Sequence, residues 1–474
     1  MQRNSLLTTV LYVLMVFLCV GLAVLLFLNV QANKELNASQ AQAVYEALVT
    51  PTPVPTAEPT PEPAERNTED IVLAFGGEIV GQMGLTKDAE QVYEPEQTGE
   101  EDVEVQVSYD YDDEIVGLSD LLAQPDFVSC TLGSVLLDSV DYESYVMNPG
   151  FAVTLEKSGF DLVNTASNRI LYRGMEGLES TVSALQSAGL INLGTAATQE
   201  SFDENNGIVT KVFNGVTVAF LSYTCETGDV SAADTPYAVN ILTSDYMSGA
   251  QSIDYDRIDS DLQLAKDRGA DLIVCYVYWW SEDSYYIDVR DNQRELATYL
   301  CENGVDIVAG SGTKVPQPIE LMKFRDEDGS ERSCVVIYSP GNLLNCFDDN
   351  YTNLSGLVCV DLKRDVDTNE VWISDVYYKP LFMLDTSDYS DIPEDSAEFK
   401  YRIFDLRDAV SRYEAVNTEG EGDGEALAAD CITREVYNAM LAGVDTLQQL
   451  FGAEYDEING GVDVQAWADT IVLR

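Results

Sequence analysis

The sequence predicts an α/β layered domain, with sheets flanked by helices, preceded by one transmembrane helix. Two observations predict this organisation. Strand-like apolar runs alternate with amphipathic helix-like stretches from about residue 115 onward, which is the pattern of a layered α/β domain. Near the start of the chain, residues 6–30 are apolar and carry no charge. The length of 474 residues allows one large domain with additions, or two to three domains.

The uncharged segment at residues 6–30 is long enough to cross a membrane. At about 1.5 Å per residue it exceeds the roughly 30 Å hydrocarbon core of a bilayer. A cleaved signal peptide has a shorter apolar core, about 7–15 residues, and the nearest small-residue pattern, at Ala41 and Ala43, lies too far downstream. Because Arg3 precedes the segment, we predict a signal anchor, with residues 1–5 in the cytoplasm and the main domain outside the cell membrane.

A proline-rich segment follows the predicted anchor. Between residues 50 and 63 prolines alternate with other residues, mainly threonine and glutamate. Proline fixes φ and lacks a backbone donor, so such a run is extended and semi-rigid. Residues 31–66 are therefore predicted to form an extracytoplasmic stalk.

The main domain is predicted to cover residues 71–406. It opens with a buried strand at 71–75 that ends at a glycine pair. Further elements follow from apolar periodicity and from glycine and asparagine at turns and helix ends. The predicted strands are 127–130, 161–164, 216–222, 271–277, 305–309, 335–339, 356–362 and 371–378, and the predicted helices are 151–158, 177–188, 253–268 and 292–303.

Two segments depart from this alternation. Residues 86–114 form an acidic insertion with few apolar residues. Its run 110–114 offers oxygen ligands for Ca²⁺ but lacks the glycine and spacing of an EF-hand loop, so a solvated loop is the favoured interpretation. Residues 407–474 contain an acidic glycine-rich loop and a helical stretch at 425–451, and they are predicted to be an appended extension.

The composition excludes several classes of function. The chain has 82 acidic and 26 basic residues and a formal net charge of -56, which would repel nucleic acid and anionic lipid surfaces. It contains no histidine, which excludes Ser-His-Asp and Cys-His hydrolases and histidine-ligated zinc. Nine cysteines form no C-x-x-C pair; free buried thiols are favoured, and disulfides stay possible outside the cell.

The order of local patterns from about residue 71 to residue 347, and more weakly to 406, resembles the CapA family of bacterial capsule and poly-γ-glutamate synthesis proteins. The resemblance implies a calcineurin-like metallophosphatase-type layered sandwich. The segments that carry it are FGGE at 75–78, TLG at 131–133, GFDLV at 159–163, NRILYRG at 168–174, GADLIV at 269–274, YWWSE at 278–282, QPIE at 317–320 and YSPGNL at 338–343.

The resemblance also implies a site that has lost its metal ligands. Where the family carries aspartate, glutamate and four histidines, this chain has Glu78, Gly133, Arg169, Tyr278, Gly312 and Lys314. The vestigial site positions are therefore Glu78, Asn168, Arg169, Tyr278, Glu282, Lys314 and Asn342. A two-metal centre needs bridging carboxylates and neutral imidazoles, and Arg169 with Lys314 would place positive charge there. We predict no metal and no cofactor.

Two interpretations of this altered site stay open. In one, Arg169 and Lys314 replace the cations and hold an anionic polymer, because arginine makes bidentate contacts with carboxylate or phosphate. In the other, Arg169 pairs with Glu78 while Tyr278 and Trp279 fill the vacated space. The aromatic residues of this region either stack on a ligand or pack in the core and loops; they are Tyr276, Tyr278, Trp279, Trp280, Tyr285 and Tyr286.

The sequence thus predicts a pseudoenzyme of the cell envelope. Its role would be binding or scaffolding in capsule, poly-γ-glutamate or cell-envelope polymer synthesis. The expected partners are the membrane, an anionic polymer or the capsule and cell-wall assembly proteins, and not nucleic acid. The alternative is an active hydrolase or transferase of the same family that uses the carboxylates Glu78 and Glu282 for acid–base chemistry.

Overall fold

The computed structural model describes most of the chain from Arg66 onward. The predicted anchor and nearly all of the predicted stalk lie outside the described residues. Among the described residues, no helix is both long and apolar enough to cross a membrane. The described ranges are 66–93, 106–140, 145–243, 252–280, 285–325, 331–393, 398–419, 424–451, 455–456 and 461–463.

The larger sheet of the described chain is built around a long central strand, β1 (Thr68–Ile79). The other strands of this sheet are β4 (Phe127–Leu132), β7 (Leu162–Asn164), β8 (Ile191–Leu193), β15 (Asn342–Leu344), β16 (Leu354–Asp365), β17 (Val371–Asp385), β18 (Tyr401–Asp405), β19 (Tyr455–Asp456) and β20 (Gly461–Asp463). Their order is β19-β20-β17-β16-β1-β4-β7-β8, with β15 on β1 and β18 on β17. The sheet is mixed, because β1 is parallel to β4 and antiparallel to β16.

The second large sheet has six described strands. They are β9 (Val209–Phe213), β10 (Val216–Thr224), β11 (Leu272–Tyr278), β12 (Ile307–Ser311), β13 (Pro316–Arg325) and β14 (Glu331–Pro340), in the order β13-β14-β12-β11-β10-β9. The central strands β10, β11, β12 and β14 are parallel, so their carboxyl ends share one edge. Two short ribbons complete the described strands: β2 (Glu90–Tyr93) with β3 (Gln106–Tyr109), and β5 (Val135–Leu136) with β6 (Val146–Met147).

Helices pack against both large sheets, and α9–α11 contribute to the core between them. The predicted helices begin and end close to the expected residues, and two of them end at a glycine in the left-handed region, Gly159 and Gly189, as an αL cap requires. The described helices are α1 (Met83–Asp88), α2 (Asp112–Ile115), α3 (Ser119–Leu122), α4 (Gly150–Ser158), α5 (Gly174–Ala188), α6 (Gln199–Asn205), α7 (Tyr255–Asp267), α8 (Asp291–Glu302), α9 (Leu406–Glu419), α10 (Gly424–Ala429) and α11 (Arg434–Phe451).

The main hydrophobic core lies between the two sheets. Apolar side chains of β1, β16 and β17 there meet those of β10, β11 and β12. Other clusters lie outside each sheet, one under α1–α4 and one under α7 and α8. This arrangement confirms the predicted mixed α/β domain with sheets flanked by helices.

The predicted acidic insertion is partly built into the core. Tyr111 and Glu114 are buried, so the favoured interpretation of a solvated loop is wrong at this end. The Ca²⁺ alternative fits no better, because Asp112 accepts hydrogen bonds from Thr154 and Lys157 and Asp113 accepts one from Arg402. Burial raises the pKa of the Glu114 carboxyl to about 9, which favours a neutral acid over a cation ligand near pH 7.

The C-terminal segment is part of the same core. Side chains such as Leu427, Val436, Met440 and Leu447 belong to the cluster between the sheets, so α10 and α11 pack as part of the domain. The helical stretch predicted at 425–451 is two helices, because Cys431 between them takes a left-handed φ of 55°.

The cysteines correct one expectation. Cys301 at the end of α8 is bridged to Cys334 on β14, whereas the sequence favours free buried thiols. The two positions are 33 residues apart in the chain, and the fold brings them together. The other described cysteines form no disulfide within the described chain, and all but Cys346 are buried.

Candidate functional site

The site forms where the carboxyl ends of both sheets meet. Glu78 near the end of β1 pairs in register with Thr131 of β4 and with Asn342 of β15. Tyr278, the last residue of β11, brings the second sheet to Glu78. Ligand sites of open α/β sheets are commonly found at the carboxyl ends of their parallel strands.

The loops that leave these strands carry the other predicted positions. Asn168 and Arg169 follow β7, and Lys314 follows β12. Asn168 contacts the Tyr278 hydroxyl, and both Arg169 and Lys314 act electrostatically on Glu78. Six of the seven predicted positions are thus gathered around one carboxyl group; Glu282 lies outside the described residues.

A buried carboxyl group forms the floor of the site. Glu78 is only 2% exposed. The Tyr278 hydroxyl donates to Glu78 Oε1 over 2.8 Å and lies 3.0 Å from Asn168 Oδ1. Burial raises the pKa of Glu78 to about 7, although the Tyr278 hydrogen bond and the charges of Lys314 and Arg169 oppose the rise. The floor is therefore close to half-protonated at neutral pH.

Two glycines make room for this floor. A Cβ built on Gly133 would lie 1.9 Å from Glu78 Oε1, so the carboxyl of Glu78 occupies the space that a side chain at 133 would need. A Cβ on Gly312 would lie 2.9 Å from the Tyr278 ring, and Gly312 has a left-handed φ of 97°. Glu78 and Tyr278 therefore fill the space beside two of the positions where ligands of the implied metal site are missing.

Two cations form the rim. The Arg169 guanidinium lies over the Tyr145 ring, with Cζ 4.5 Å from the centroid. Lys314 Nζ donates to the Tyr285 hydroxyl over 2.9 Å and lies 4.0 Å from the Phe347 ring centroid. Desolvation lowers the pKa of Lys314, and the charge of Arg169 lowers it further, against the opposing effects of Glu78 and Asp349. The two cations thus repel each other across the site.

The packing interpretation is half right. Tyr278 fills the site as predicted, but no ion pair within 4.0 Å joins Arg169 to Glu78 among the described residues. Trp279 points to the other side of the sheet, where its Nε1 donates to the Tyr338 carbonyl over 2.7 Å. The six aromatic residues therefore form no single stacking surface: Tyr276, Tyr278, Trp279 and Trp280 are buried, whereas Tyr285 and Tyr286 are about half exposed.

Several polar atoms in and beside the site have no partner within the described chain. They are Glu78 Oε2, both side-chain atoms of Asn342, and the hydroxyls of Ser167 and Ser311. Glu78 and Asn342 are neighbours in register, and Ser311 pairs with Tyr278. Buried polar groups are normally hydrogen-bonded, so this cluster has capacity for an additional polar group.

Sequence reasoning missed the aromatic supports of the rim. Tyr145 and Phe347 lie under Arg169 and Lys314, and neither belongs to a segment with a recognisable pattern. The described residues contain no group of three or more His, Cys, Asp or Glu side chains placed to hold a metal ion. The donor set around Glu78 offers one carboxylate, amides and hydroxyls beside two cations, which does not fit a two-metal centre.

Comparison with known proteins shows that this chain is similar to bacterial capsule synthesis proteins. Residues 72–346 match the family model described as "Bacterial capsule synthesis protein PGA_cap". The PGA biosynthesis protein CapA of Bacillus subtilis (strain 168) is 29% identical over 217 residues, which cover 44% of this chain and 49% of that protein. The capsule biosynthesis protein CapA of Bacillus anthracis is 26% identical over 201 residues, covering 42% and 43%.

The sequence similarity covers only part of each relative. The aligned part spans about half the length of the curated relatives. Among solved structures, a novel phosphatase from Mycoplasma pneumoniae has a TM-score of 0.37 at 11% identity and covers 66% of this chain and 94% of that one. A 5'-nucleotidase precursor from Thermus thermophilus has a TM-score of 0.35 at 11% identity, covering 66% and 54%. Scores of this size carry no functional argument.

Proposed function

Since the chain belongs to the bacterial capsule synthesis protein PGA_cap family, we propose that it is a binding or scaffold component in the synthesis of capsule, poly-γ-glutamate or another cell-envelope polymer. In this proposal the domain is a metallophosphatase-type scaffold that works without metal-dependent catalysis. Its partners are an anionic polymer or the proteins that assemble the envelope.

One observation carries the non-catalytic part of the proposal. The space of the implied metal centre is occupied by the chain itself, because Tyr278 donates to Glu78 and both side chains pack where Gly133 and Gly312 leave room. A two-metal phosphoesterase needs ligands that hold two ions about 3.5–4 Å apart. With Arg169 and Lys314 beside Glu78, a divalent ion would also meet two positive charges.

The location in the proposal is extracytoplasmic, with a single membrane anchor. The uncharged residues 6–30 support the anchor because their length suits a bilayer. The disulfide between Cys301 and Cys334 supports the location, since such bonds persist mainly in oxidising compartments. Protease accessibility of the domain on intact cells tests the orientation; protection from the protease on intact cells would contradict it.

Elemental analysis tests the absence of a metal centre. Residues 66–474, which form one compact unit, would be dialysed against trace Mn²⁺ and Zn²⁺ and their bound metal counted. We expect a folded chain with bound metal far below one equivalent and no hydrolysis of p-nitrophenyl phosphate. Stoichiometric metal, with hydrolysis lost on Glu78→Gln, would overturn the proposal.

A further inference from the structure

A small cleft lies at the carboxyl end of β8, an edge strand of the larger sheet. Its volume is about 110 Å³, and α5, α6 and the loop after β10 form its other walls. None of the residues that line it belongs to the Glu78 site. Pockets for drug-sized molecules measure about 300–1,000 Å³, so this cleft suits a ligand group of about one ring. Its polar and aromatic lining includes Gln186, Phe202, Glu204, Asn205 and Asn240, with Gly207 beside them.

The lining is almost neutral in a strongly acidic protein. The chain has 82 acidic residues, and each of three other clefts in the described domain has three or four charged lining residues. In this cleft Glu204 is the one charged residue among the described lining positions, and no lysine or arginine lines it. A carboxylate or phosphate group would enter it without a countercharge, which is costly. The cleft is therefore suited to a neutral polar ligand.

The side-chain amide of Asn240 is fixed in the wall of the cleft. Asn240 is only 4% exposed, and Arg257 Nη2 donates to its Oδ1 over 2.8 Å. Because arginine can only donate, this contact assigns Oδ1 to Arg257 and leaves Nδ2 as the remaining donor. Within the described chain Nδ2 has no acceptor, and buried polar groups are normally hydrogen-bonded. Nδ2 is therefore available for an acceptor on a ligand.

Gly207 keeps the space in front of this amide open. A Cβ built on Gly207 would lie 2.7 Å from Asn240 Nδ2, and the left-handed φ of 72° at Gly207 favours glycine. Asn205 is fixed in the same way as Asn240, because the Gly207 backbone N–H donates to its Oδ1 over 2.8 Å. The Asn205 Nδ2 is a second donor, with no acceptor in the described chain. Two oriented amide donors thus belong to the lining.

The remaining lining groups supply acceptors and an apolar face. Glu204 offers carboxylate oxygens, the Gln186 amide offers a donor and an acceptor, and both side chains are exposed. Phe202 is half-buried and presents part of its ring to the cleft. Donors, acceptors and an aromatic face together match a sugar, because its hydroxyls both donate and accept and its ring C–H groups pack on aromatic side chains.

We propose that this cleft binds one neutral sugar unit of an envelope glycan. The sugar ring lies against Phe202, and its hydroxyls accept from Nδ2 of Asn240 and Asn205 and donate to Glu204. The proposal rests on the proposed function for the source of the sugar, and it does not depend on the state of the Glu78 site. A peptide segment is also neutral and polar, but an extended chain needs a longer groove than this cleft.

The test is ligand-observed saturation-transfer NMR on the full-length chain in a detergent without a sugar headgroup. The ligands are glucose and N-acetylglucosamine, and the comparison ligands are triglutamate and acetyl-triglycine amide. We expect a dissociation constant of about 1 mM for at least one of the sugars, the affinity of a ligand of this size. We expect both comparison ligands to bind more weakly.

Two variants test the cleft itself. Asn240→Asp keeps an acceptor for Arg257 and replaces the Nδ2 donor with an oxygen, so sugar binding should weaken about tenfold, the size of a lost hydrogen bond that leaves a polar group unpaired. Gln186→Trp places a large ring at an exposed lining position, and it should weaken binding about tenfold or more by filling the entrance. Gln263→Trp is the matched control, because Gln263 is an exposed glutamine of α7 outside the cleft; it should bind like the native chain.

Binding of either sugar that both Asn240→Asp and Gln186→Trp weaken supports the proposal. No binding of either sugar, equal or tighter binding of a comparison ligand, native affinity in either variant, or equal weakening in Gln263→Trp overturns it. Metal content and protease accessibility are measured on the native chain without sugar, so a failure of sugar binding is distinguishable from a failure of the proposed function.

Discussion

Two arginines of this domain, the buried Arg402 and the half-buried Arg169, have opposite surroundings. Arg402, 8% exposed, donates to the Asp113 carbonyl and carboxylate over 2.9 Å and to Asp430 over 3.0 Å. It also lies over the Phe399 ring. Arg169 has a ring contact too, but no acceptor within the described chain.

The difference separates structure from ligand binding. The donors of Arg402 are matched by acceptors from two other segments of the chain, so this cluster stabilises the packing of α2 and α10 on β18. The donors of Arg169 are oriented by Tyr145 and left available. Unsatisfied buried polar groups are costly, and a protein that retains several of them at one site is suited to receive a ligand there.

The largest effect is expected from removing Arg402, the centre of the hydrogen-bonded cluster with Asp113 and Asp430. Arg402→Met leaves the Asp113 carbonyl without this donor and leaves Asp430 paired with Arg412 alone, and we expect the free energy of unfolding to fall by about 3 kcal/mol, as for other broken buried ion pairs. Urea denaturation of residues 66–474 measures it. A loss below about 1 kcal/mol, the size of an exposed ion pair, would show that the Arg402 cluster is not a stabilising network.

The next prediction concerns Glu78 and the dependence of the unfolding free energy on pH. Glu78 releases its proton near pH 4.5 when unfolded and near pH 7 when folded. The folded chain therefore binds more protons between these values, and its stability falls as pH rises. Relative to Glu78→Gln, which cannot ionise, the native chain should lose about 3 kcal/mol from about pH 4 to about pH 8. Parallel pH profiles for the two chains would contradict a neutral floor.

A smaller effect concerns the space beneath Glu78. Gly133→Ala would place a Cβ 1.9 Å from Glu78 Oε1, and we expect a loss of about 1–3 kcal/mol in unfolding free energy from overpacking. The double variant with Glu78→Ala is the control, because it removes the atom that is struck. Equal costs of Gly133→Ala in both backgrounds would show that Glu78 does not occupy this space.

The smallest expected effect sharpens the comparison between the arginines. Arg169→Met removes a side chain with no described acceptor, so the free energy of unfolding should change by less than about 0.5 kcal/mol, as measured by urea denaturation. A loss as large as that of Arg402→Met would mean that Arg169 is a structural residue.

The elements of the domain could be predicted where local pattern decides them. Strands β4, β10, β11 and β12 are largely apolar and buried. The turn before β10 has Asn214 and Gly215, which take the positive φ of a tight hairpin. Strand β13 was missed because only its first half is buried, and its pairing with β14 defines it. Helix α9 follows β18 directly, and no change of pattern marks its start.

The site could be predicted in membership but not in arrangement. The order of motifs located the six described positions, because strands with a shared carboxyl edge bring their last residues together. That Tyr278 turns towards Glu78 while Trp279 turns away follows from strand alternation. Glu78 fills the space beside Gly133, and these two residues come from segments far apart in the sequence. Tyr145 and Phe347, which lie against the two cations, come from loops. No local sequence pattern indicates either contact.

The close approach of Glu78 to Gly133 also bears on the history of the site. A glutamate at 78 and a side chain at 133 cannot occupy the same volume. In a lineage that began with the aspartate and glutamate implied by the family resemblance, the change to glycine at 133 is expected to precede the lengthening at 78. The reverse order would pass through an overpacked intermediate, and ancestral sequences of the lineage would record which change came first.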